Sequence, residues 1–339
     1  MALAGASARP EGTAPPLLLA LTAPGDTRSR LVQWTEAGVR EVATLSHVAD
    51  AQPRGTALPG GRAALVVAQV EQRDPSWSAG LFVASREGVT QRADRVYPGT
   101  RPVLLGADRV AVARGRFGTP APPGEYRVDA LEVDVVPLVG GEPERWWEGA
   151  GFLALPVGAT QRELLVYVPG PTESPLVAVD VRTQGRRTVA GDLPLARDFT
   201  VSPDGQRLYF TAHGGAGRED WRVWEIELAT GALRALAARP LVAMLPFAAA
   251  TGVLVQWDRE GNARWLRGSD LVETRCGLGE GVDAFHAASR DGRWLAGLHE
   301  PGNDVAQPVL LDVGTGAVTP LGIPGGMRPE VLGFSEGAP

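Results

Sequence analysis

An all-β fold, a closed β-propeller of seven four-stranded blades, is what this sequence predicts, on three observations. Seven turn-bounded hairpins recur along its 339 residues at spacings of 37 to 53, around the period of a propeller blade. The two clearest repeats, VSPDGQRLYF (Val201–Phe210) and ASRDGRWLAG (Ala288–Gly297), each precede a hydrophobic strand and a tight turn. The two ends of the chain read as complementary halves of one further unit.

The outermost hairpin of each blade is marked by a glycine, because a tight turn needs a positive φ that glycine adopts at no steric cost. In chain order these turns are WTEAGVREV (Gly38), ASREGVTQR (Gly88), PLVGGEPERW (Gly141), VRTQGRRTV (Gly185), LATGALRAL (Gly231), LRGSDLVET (Gly268) and VGTGAVTPL (Gly316). In the sixth unit REGN, at Gly261, competes with Gly268 for the turn. Between the hairpins lie short runs of Val, Leu, Ala and Phe: Pro102–Leu105 with Val110–Ala113, Phe152–Leu155 with Leu164–Val168, and Ala243–Phe247 with Val253–Trp257. Bounded by Gly, Pro and Asp, such runs fit strands buried on both faces. After a Pro- and Gly-rich tail over residues 1–16, Leu17–Ala23 already corresponds to the second strand of a blade. At the other end PEVLGFSEGAP (Pro329–Pro339) matches a first strand and its turn. The last strand is therefore expected to complete the first blade, leaving no open sheet edge, with 17–339 as one domain.

Composition narrows the function classes. The net charge is -6 with acids and bases interspersed, so there is no basic face for a nucleic acid. All 33 basic residues are Arg, which excludes Schiff-base and lysine general-base chemistry. The single Cys, Cys276, excludes an intrachain disulfide and a multi-cysteine metal site, and it reads as a buried structural thiol. No apolar stretch approaches the roughly 20 residues of a membrane span. A monomer is expected; localisation stays open, because the N-terminus as written has no signal peptide, which reads as cytoplasmic. An upstream start would turn Ala4–Ala8 into a cleavage region and the protein into a periplasmic or secreted one.

Ser202-Pro203-Asp204-Gly205 followed by Leu208-Tyr209-Phe210, with Val223–Leu228 and Thr230-Gly231 downstream, resembles the TolB-type propeller repeat. The copy at Ser289-Arg290-Asp291-Gly292 is similar, with Arg in place of Pro, and the other five units match in outline. Related repeats occur in the propeller that gates prolyl-oligopeptidase-type hydrolases, but no G-x-S-x-G nucleophile elbow is present here. The extra N-terminal domain that TolB proteins carry ahead of the propeller is not expected either. The resemblance implies a fold and a tendency to bind proteins, not an activity.

Asp204 and Asp291 are turn residues in this reading: Asp caps the reversal and Gly takes the left-handed position. The four histidines, His47, His213, His286 and His299, form no metal motif, and His213 and His299 fall one place out of register. The channel mouth is the better candidate site. Inner strands are expected to start near Arg101, Glu148, Arg197-Asp198, Arg239, Asp283 and Arg328/Glu330, giving a ring of Arg and carboxylate. Arg grips carboxylate or phosphate in a bidentate way, which suits a polar ligand or a peptide end. The long loops Glu71–Trp77, Gly115–Glu125, His213–Trp221 and Glu300–Gln307 share that face, and Trp77 and Trp221 beside Arg and Asp are the residue types of an interaction hot spot. The sequence therefore favours a non-catalytic propeller that binds a protein or peptide partner, with no cofactor, no metal and no assigned catalytic residue. The alternative is a metal-assisted hydrolase or lactonase using Asp198, Asp283 and Glu330.

Overall fold

Among the described residues, short apolar runs separated by Gly, Asp and Pro turns give twenty-eight strands and no helix. The structure is a computed structural model that describes residues 13–58, 63–70, 79–117, 128–149, 153–213, 221–236, 244–249, 252–256, 263–267, 272–275, 284–300 and 306–335. Its strands form antiparallel sheets in a propeller-like arrangement, most of them simple four-stranded meanders.

The first sheet joins the two ends of the chain. Arg328–Phe334 lies at its edge, followed by Leu17–Thr22, Arg28–Thr35 and Gly38–Ser46. Leu17 pairs with Phe334 and Thr22 with Arg328, with one register shift between Leu18 and Leu19. All six residues of Leu17–Thr22 are buried, because the strand has a hydrogen-bonded neighbour on each side and an apolar layer on each face. Ala14, just ahead of it, is buried too, and its amide donates to the Glu36 carboxylate at 3.1 Å.

Four further meanders follow the same plan. They are Leu155–Ala159 to Arg186–Ala190, Arg197–Val201 to Leu233–Ala235, Met244–Ala249 to Val272–Arg275, and Ala284–Ala288 to Ala317–Pro320. Between the first sheet and these lies one eight-stranded sheet. Its first half is Arg54–Ala57, Ala63–Gln69, Ala79–Ser85 and Gly88–Val96. Its second half is Val103–Leu105, Arg109–Phe117, Val128–Pro137 and Glu144–Glu148, and a single pairing, Val96 with Arg114, joins the halves. The sequence predicts an inner strand over Phe152–Leu155; the strand instead begins at Leu155, and 150–152 lie outside the described residues.

Packing is sheet face on sheet face. Leu18, Leu31 and Leu45 of the first sheet meet Val66 and Phe82 of the second. Leu17, Leu19 and Leu21 meet Leu298 and Leu310 of the last, so both faces of the first sheet are covered. Leu165 and Tyr167 meet Leu208, Phe210 and Ile226 across the next seam. Trp34 and Trp146 are buried in such seams, the role expected for most of the tryptophans. Burying a side chain of this size contributes roughly 2 kcal/mol apiece.

The turns show why the repeat is readable. Ser202 Oγ accepts from the Arg207 amide at 2.9 Å, Asp204 Oδ1 accepts from the Gln206 amide at 3.0 Å, and Gly205 sits at φ 67°. Ser289, Asp291 and Gly292 repeat the geometry, with the Trp294 amide 2.8 Å from Ser289 Oγ and Gly292 at φ 73°. Asp204 is held below the usual carboxylate range, first by the Ser202 hydroxyl and then by the Gln206 amide. Both aspartates are therefore structural, as their spacing implies. The fourth hairpin departs from expectation: the left-handed position is Gln184, at φ 58°, and not Gly185. Asp180 makes this tolerable by accepting from the Arg182 and Thr183 amides at 2.9 and 2.7 Å, which fixes the turn with a side chain instead of a glycine. Gly268 and Gly261 both lie outside the described residues.

Candidate functional site at the strand heads

In a meander wound this way, the link from one sheet enters the next at the head of its inner strand, on the face that also carries the connection between strands two and three. Arg328, Arg54 and Arg197 are each the first residue of an inner strand, and Arg101 lies two residues before Val103–Leu105. Inner strands touch their neighbours: Ala284–Ala288 meets Arg328–Phe334, which meets Arg54–Ala57. The strand heads therefore gather charged residues, in two clusters.

The first cluster spans the first, second and last sheets. Asp50, in the left-handed region at φ 60°, accepts from the Gly25 amide at 3.0 Å and from Arg328 Nη1 at 3.3 Å. Beside this pair opens a cleft of about 660 Å³ whose lining includes Gln52, Arg54, Gln69, Tyr97 and Pro98. Glu330, two residues along the strand from Arg328, is largely buried. Burial pushes its carboxyl above the usual range, and the Arg54 and Arg101 guanidinium groups pull it partly back. His286, on the neighbouring inner strand, is pushed down to about 4 by burial first and by Arg101 second, so its ring is neutral at physiological pH. Its Nε2 is buried with no hydrogen-bond partner among the described residues. Arg101 thus acts on groups from two different strands.

The second cluster belongs to the Arg197–Val201 sheet. Arg197 Nε lies 3.3 Å from Asp198 Oδ2, and the Thr211 hydroxyl donates to the same oxygen at 3.0 Å. Asp198 stands at φ 57°, left-handed for a non-glycine residue, and this local reversal interrupts the pairing between Arg197↔Thr211 and Thr200↔Tyr209. The Arg197 guanidinium lies over the Trp221 ring at 4.0 Å, and the His213 ring meets Trp221 edge-on at 5.0 Å. Arg197, Trp221 and His213 are all partly exposed, so the group presents a cation stacked on an aromatic at the surface.

Of the residues expected at the mouth, Arg101, Arg197, Asp198, Arg328 and Glu330 stand at or near strand heads, and Trp221 opens a third strand. Glu148 does not stand there: it closes the outer strand Glu144–Glu148 and pairs with Arg145 at 3.6 Å. Arg239, Asp283, Trp77 and Cys276 lie outside the described residues. Three loops are narrower than the sequence suggests, since Gly115 belongs to Arg109–Phe117, His213 and Trp221 belong to the strands that flank their loop, and Gln307 opens Gln307–Asp312. Arg54 and His286 are site residues that sequence reasoning misses. Nothing in PRGTA marks its Arg as the head of an inner strand, and in DAFHAASRDG the His stands three places after the expected head, Asp283. His47 is a satisfied buried residue, with Nε2 2.7 Å from Ser29 Oγ and Nδ1 2.7 Å from the Val48 carbonyl. Among the described residues no group of three or more His, Cys, Asp or Glu side chains is placed to hold a metal ion, and no helix is long and apolar enough to cross a membrane.

No family model matches the sequence, and no curated protein matches it. Solved structures do. TolB from Acinetobacter baumannii is similar at 11% identity and a TM-score of 0.54, over 96% of this chain and 68% of that one. A puromycin hydrolase is similar at 18% identity and a TM-score of 0.64, over 93% of this chain and 54% of that one. Prolyl oligopeptidase B from Galerina marginata is similar at 13% identity and a TM-score of 0.61, over 94% and 51%. The chain spans about half the length of the hydrolase and peptidase structures it matches. Identities this low speak for fold alone. The fold of this chain is a β-propeller like that of TolB.

Proposed function

We propose that residues 17–339 form a single seven-bladed propeller that binds a protein or peptide partner through the loop face and channel mouth, as a monomer and without catalysis. Seven is the count obtained when the eight-stranded sheet is divided at its single joining pair, Val96 with Arg114, into two blades of four. The observation that carries the binding reading is the Arg197–Trp221 stack beside Asp198, partly exposed at a strand head. Arg and Trp are the residue types that dominate interface energetics, and here each holds the other in place before any partner arrives. The pairing of Asp198 with Arg197 supports the same reading. Glu330 lies in the field of Arg54 and Arg101 with its carboxyl pKa raised by burial, and Asp283 lies outside the described residues. The alternative, a hydrolase or lactonase working through these carboxylates, draws support from the puromycin hydrolase and prolyl oligopeptidase likeness.

The test is quantitative affinity capture with immobilised wild-type protein, Arg197→Ala, Trp221→Ala, and Arg187→Ala as a control on an outer strand. A partner retained by wild type and control should fall at least tenfold with Trp221→Ala, since truncating a hot-spot residue costs about 2 kcal/mol or more. Equal retention by all four proteins would sink the assignment of this face. Turnover of ester or lactone substrates that disappears in Glu330→Gln would favour the enzyme.

A further inference from the structure

The link that enters the Arg197–Val201 strand carries a leucine where its own turn calls for glycine. The Ala196 amide donates to the Leu193 carbonyl at 3.2 Å, so Leu193, Pro194, Leu195 and Ala196 form a four-residue turn. Pro194 fixes a negative φ at the second position and Leu195 stands at φ 56° at the third, the pattern of a type II turn, which favours glycine there. Ala23–Asp26 is the same turn, with the Asp26 amide 3.0 Å from the Ala23 carbonyl, and its third residue is Gly25 at φ 74°. Ahead of Arg328, the residue two places before the strand head is likewise a glycine, Gly326 at φ 78°. Leu195 gains no burial in exchange for its left-handed backbone, since 66% of it is exposed, whereas Leu193 and Ala196 are buried. A single exposed leucine is ordinary; one held out to solvent by strained backbone points to a functional contact.

The turn is tied at its base, where the Leu193 carbonyl accepts from the Tyr167 hydroxyl at 2.8 Å. Two residues after Leu195, Arg197 is held on two sides, its Nε 3.3 Å from Asp198 Oδ2 and its guanidinium over the Trp221 ring at 4.0 Å. Its terminal nitrogens have no hydrogen-bond partner among the described residues. The Cα atoms of Leu195 and Arg197 lie at most about 7 Å apart, so leucine and guanidinium belong to one small patch. We infer that Leu195 and Arg197 are the anchor pair of the partner-binding face, and that they take an extended peptide segment carrying Asp or Glu within two positions of a bulky apolar side chain. The apolar side chain covers Leu195, and the carboxylate accepts two parallel hydrogen bonds from the terminal nitrogens of Arg197, whose other edge and face are already occupied. An acid two places from an apolar residue falls on the same side of an extended segment, at a spacing of about 7 Å that matches the two anchors. Because the turn and the stacked guanidinium are fixed beforehand, neither anchor has to be ordered when the segment arrives.

This assignment rests on the partner-binding reading, and one experiment separates the two. A display library of random dodecapeptides is selected on immobilised wild-type protein. The strongest peptide is then titrated by calorimetry, with its acid changed to Gln and its apolar residue to Ala. Enriched peptides should pair an acid with a bulky apolar residue within two positions, and each change should weaken binding roughly tenfold to a hundredfold. Leu195→Gly should lose affinity by a similar factor while its melting temperature stays at or above that of wild type. Relief of the left-handed backbone there offsets the freedom that glycine adds to the unfolded chain. Arg197→Ala should abolish the preference for the acid over Gln, and Arg187→Ala should change nothing. A fall of several degrees in the melting temperature of Leu195→Gly would make the leucine a packing residue and overturn the anchor pair. So would wild-type affinity in Leu195→Gly, or peptides enriched without an acid; if their binding still falls in Trp221→Ala, the face stands and only the anchor pair is wrong. No enrichment at all would overturn it too, and capture of a whole partner would then decide the partner-binding reading alone.

Discussion

His286 makes the acid stability of this protein a measurable consequence of its burial. Its folded pKa, about 4, lies below the ordinary value of 6.5 because the charged ring is excluded from water and faces Arg101. In the unfolded chain the ring takes up its proton near 6.5; in the folded protein it does so only near 4. The contribution is thus fully present above pH 6.5 and is lost as pH falls toward 4. Each pH step of one between those two values is worth about 1.36 kcal/mol, so the loss is about 2 kcal/mol by pH 5 and about 3 kcal/mol by pH 4. The assay is urea unfolding of wild type and His286→Gln at pH 7.5, 6, 5 and 4.5. Other titrating groups, Glu330 included, contribute to both proteins and largely cancel in the difference. The variant should be less sensitive to acid, so the two stabilities converge or cross as pH drops. Parallel stability curves across that range would refute the claim that this ring is held neutral by its surroundings.

Three further outcomes follow from packing and backbone geometry. Removing the chain from Arg328 onward exposes one edge of Leu17–Thr22, six buried residues with free backbone groups along one side, so the truncated protein should aggregate or become protease-sensitive; a sharp wild-type-like melt would contradict this. Glu330→Gln should raise stability at pH 7, where the wild-type protein bears the cost of burying a charge, and the gain should vanish below the carboxyl's unfolded pKa; a denaturant series at both pH values reads it. Gly231→Ala should cost clearly more than Gly25→Ala. Both sit near φ 74°, worth roughly 1–2 kcal/mol of strain, but at Gly231 the added Cβ would also lie 2.4 Å from the Val189 carbonyl oxygen, and the two melting temperatures decide it.

The turns are legible in the sequence because their chemistry is local. Ser202, Asp204 and Gly205 bond to their own neighbours, so spacing alone carries the information. The terminal clasp is legible because each end lacks what the other supplies. Gln184 is not, since its left-handed backbone depends on Asp180 reaching over the turn, and the adjacent glycine draws attention away from it. The strand-head ring is half visible. Arg197 and Arg328 stand at expected strand heads, but no local signal marks Arg54 as one. Nothing in DAFHAASRDG says that His286 is buried against a residue 185 positions earlier in the chain. Which charges meet across a channel is decided by the closure of the ring, a long-range fact to which short motifs are blind.

That closure also fixes how the molecule answers force. Leu17 pairs with Phe334 at one end of the seam, and Thr22 with Arg328 at the other. The chain outside the sheet therefore leaves from the same end of both strands. Tension applied between the termini peels this antiparallel pair one hydrogen bond at a time, starting where the Ser335 amide donates to the Pro16 carbonyl, instead of loading all of them at once. The contact that closes the ring against thermal opening is, under load, its tear line, and the Arg328 end with its charged cleft is the last part of that seam to open.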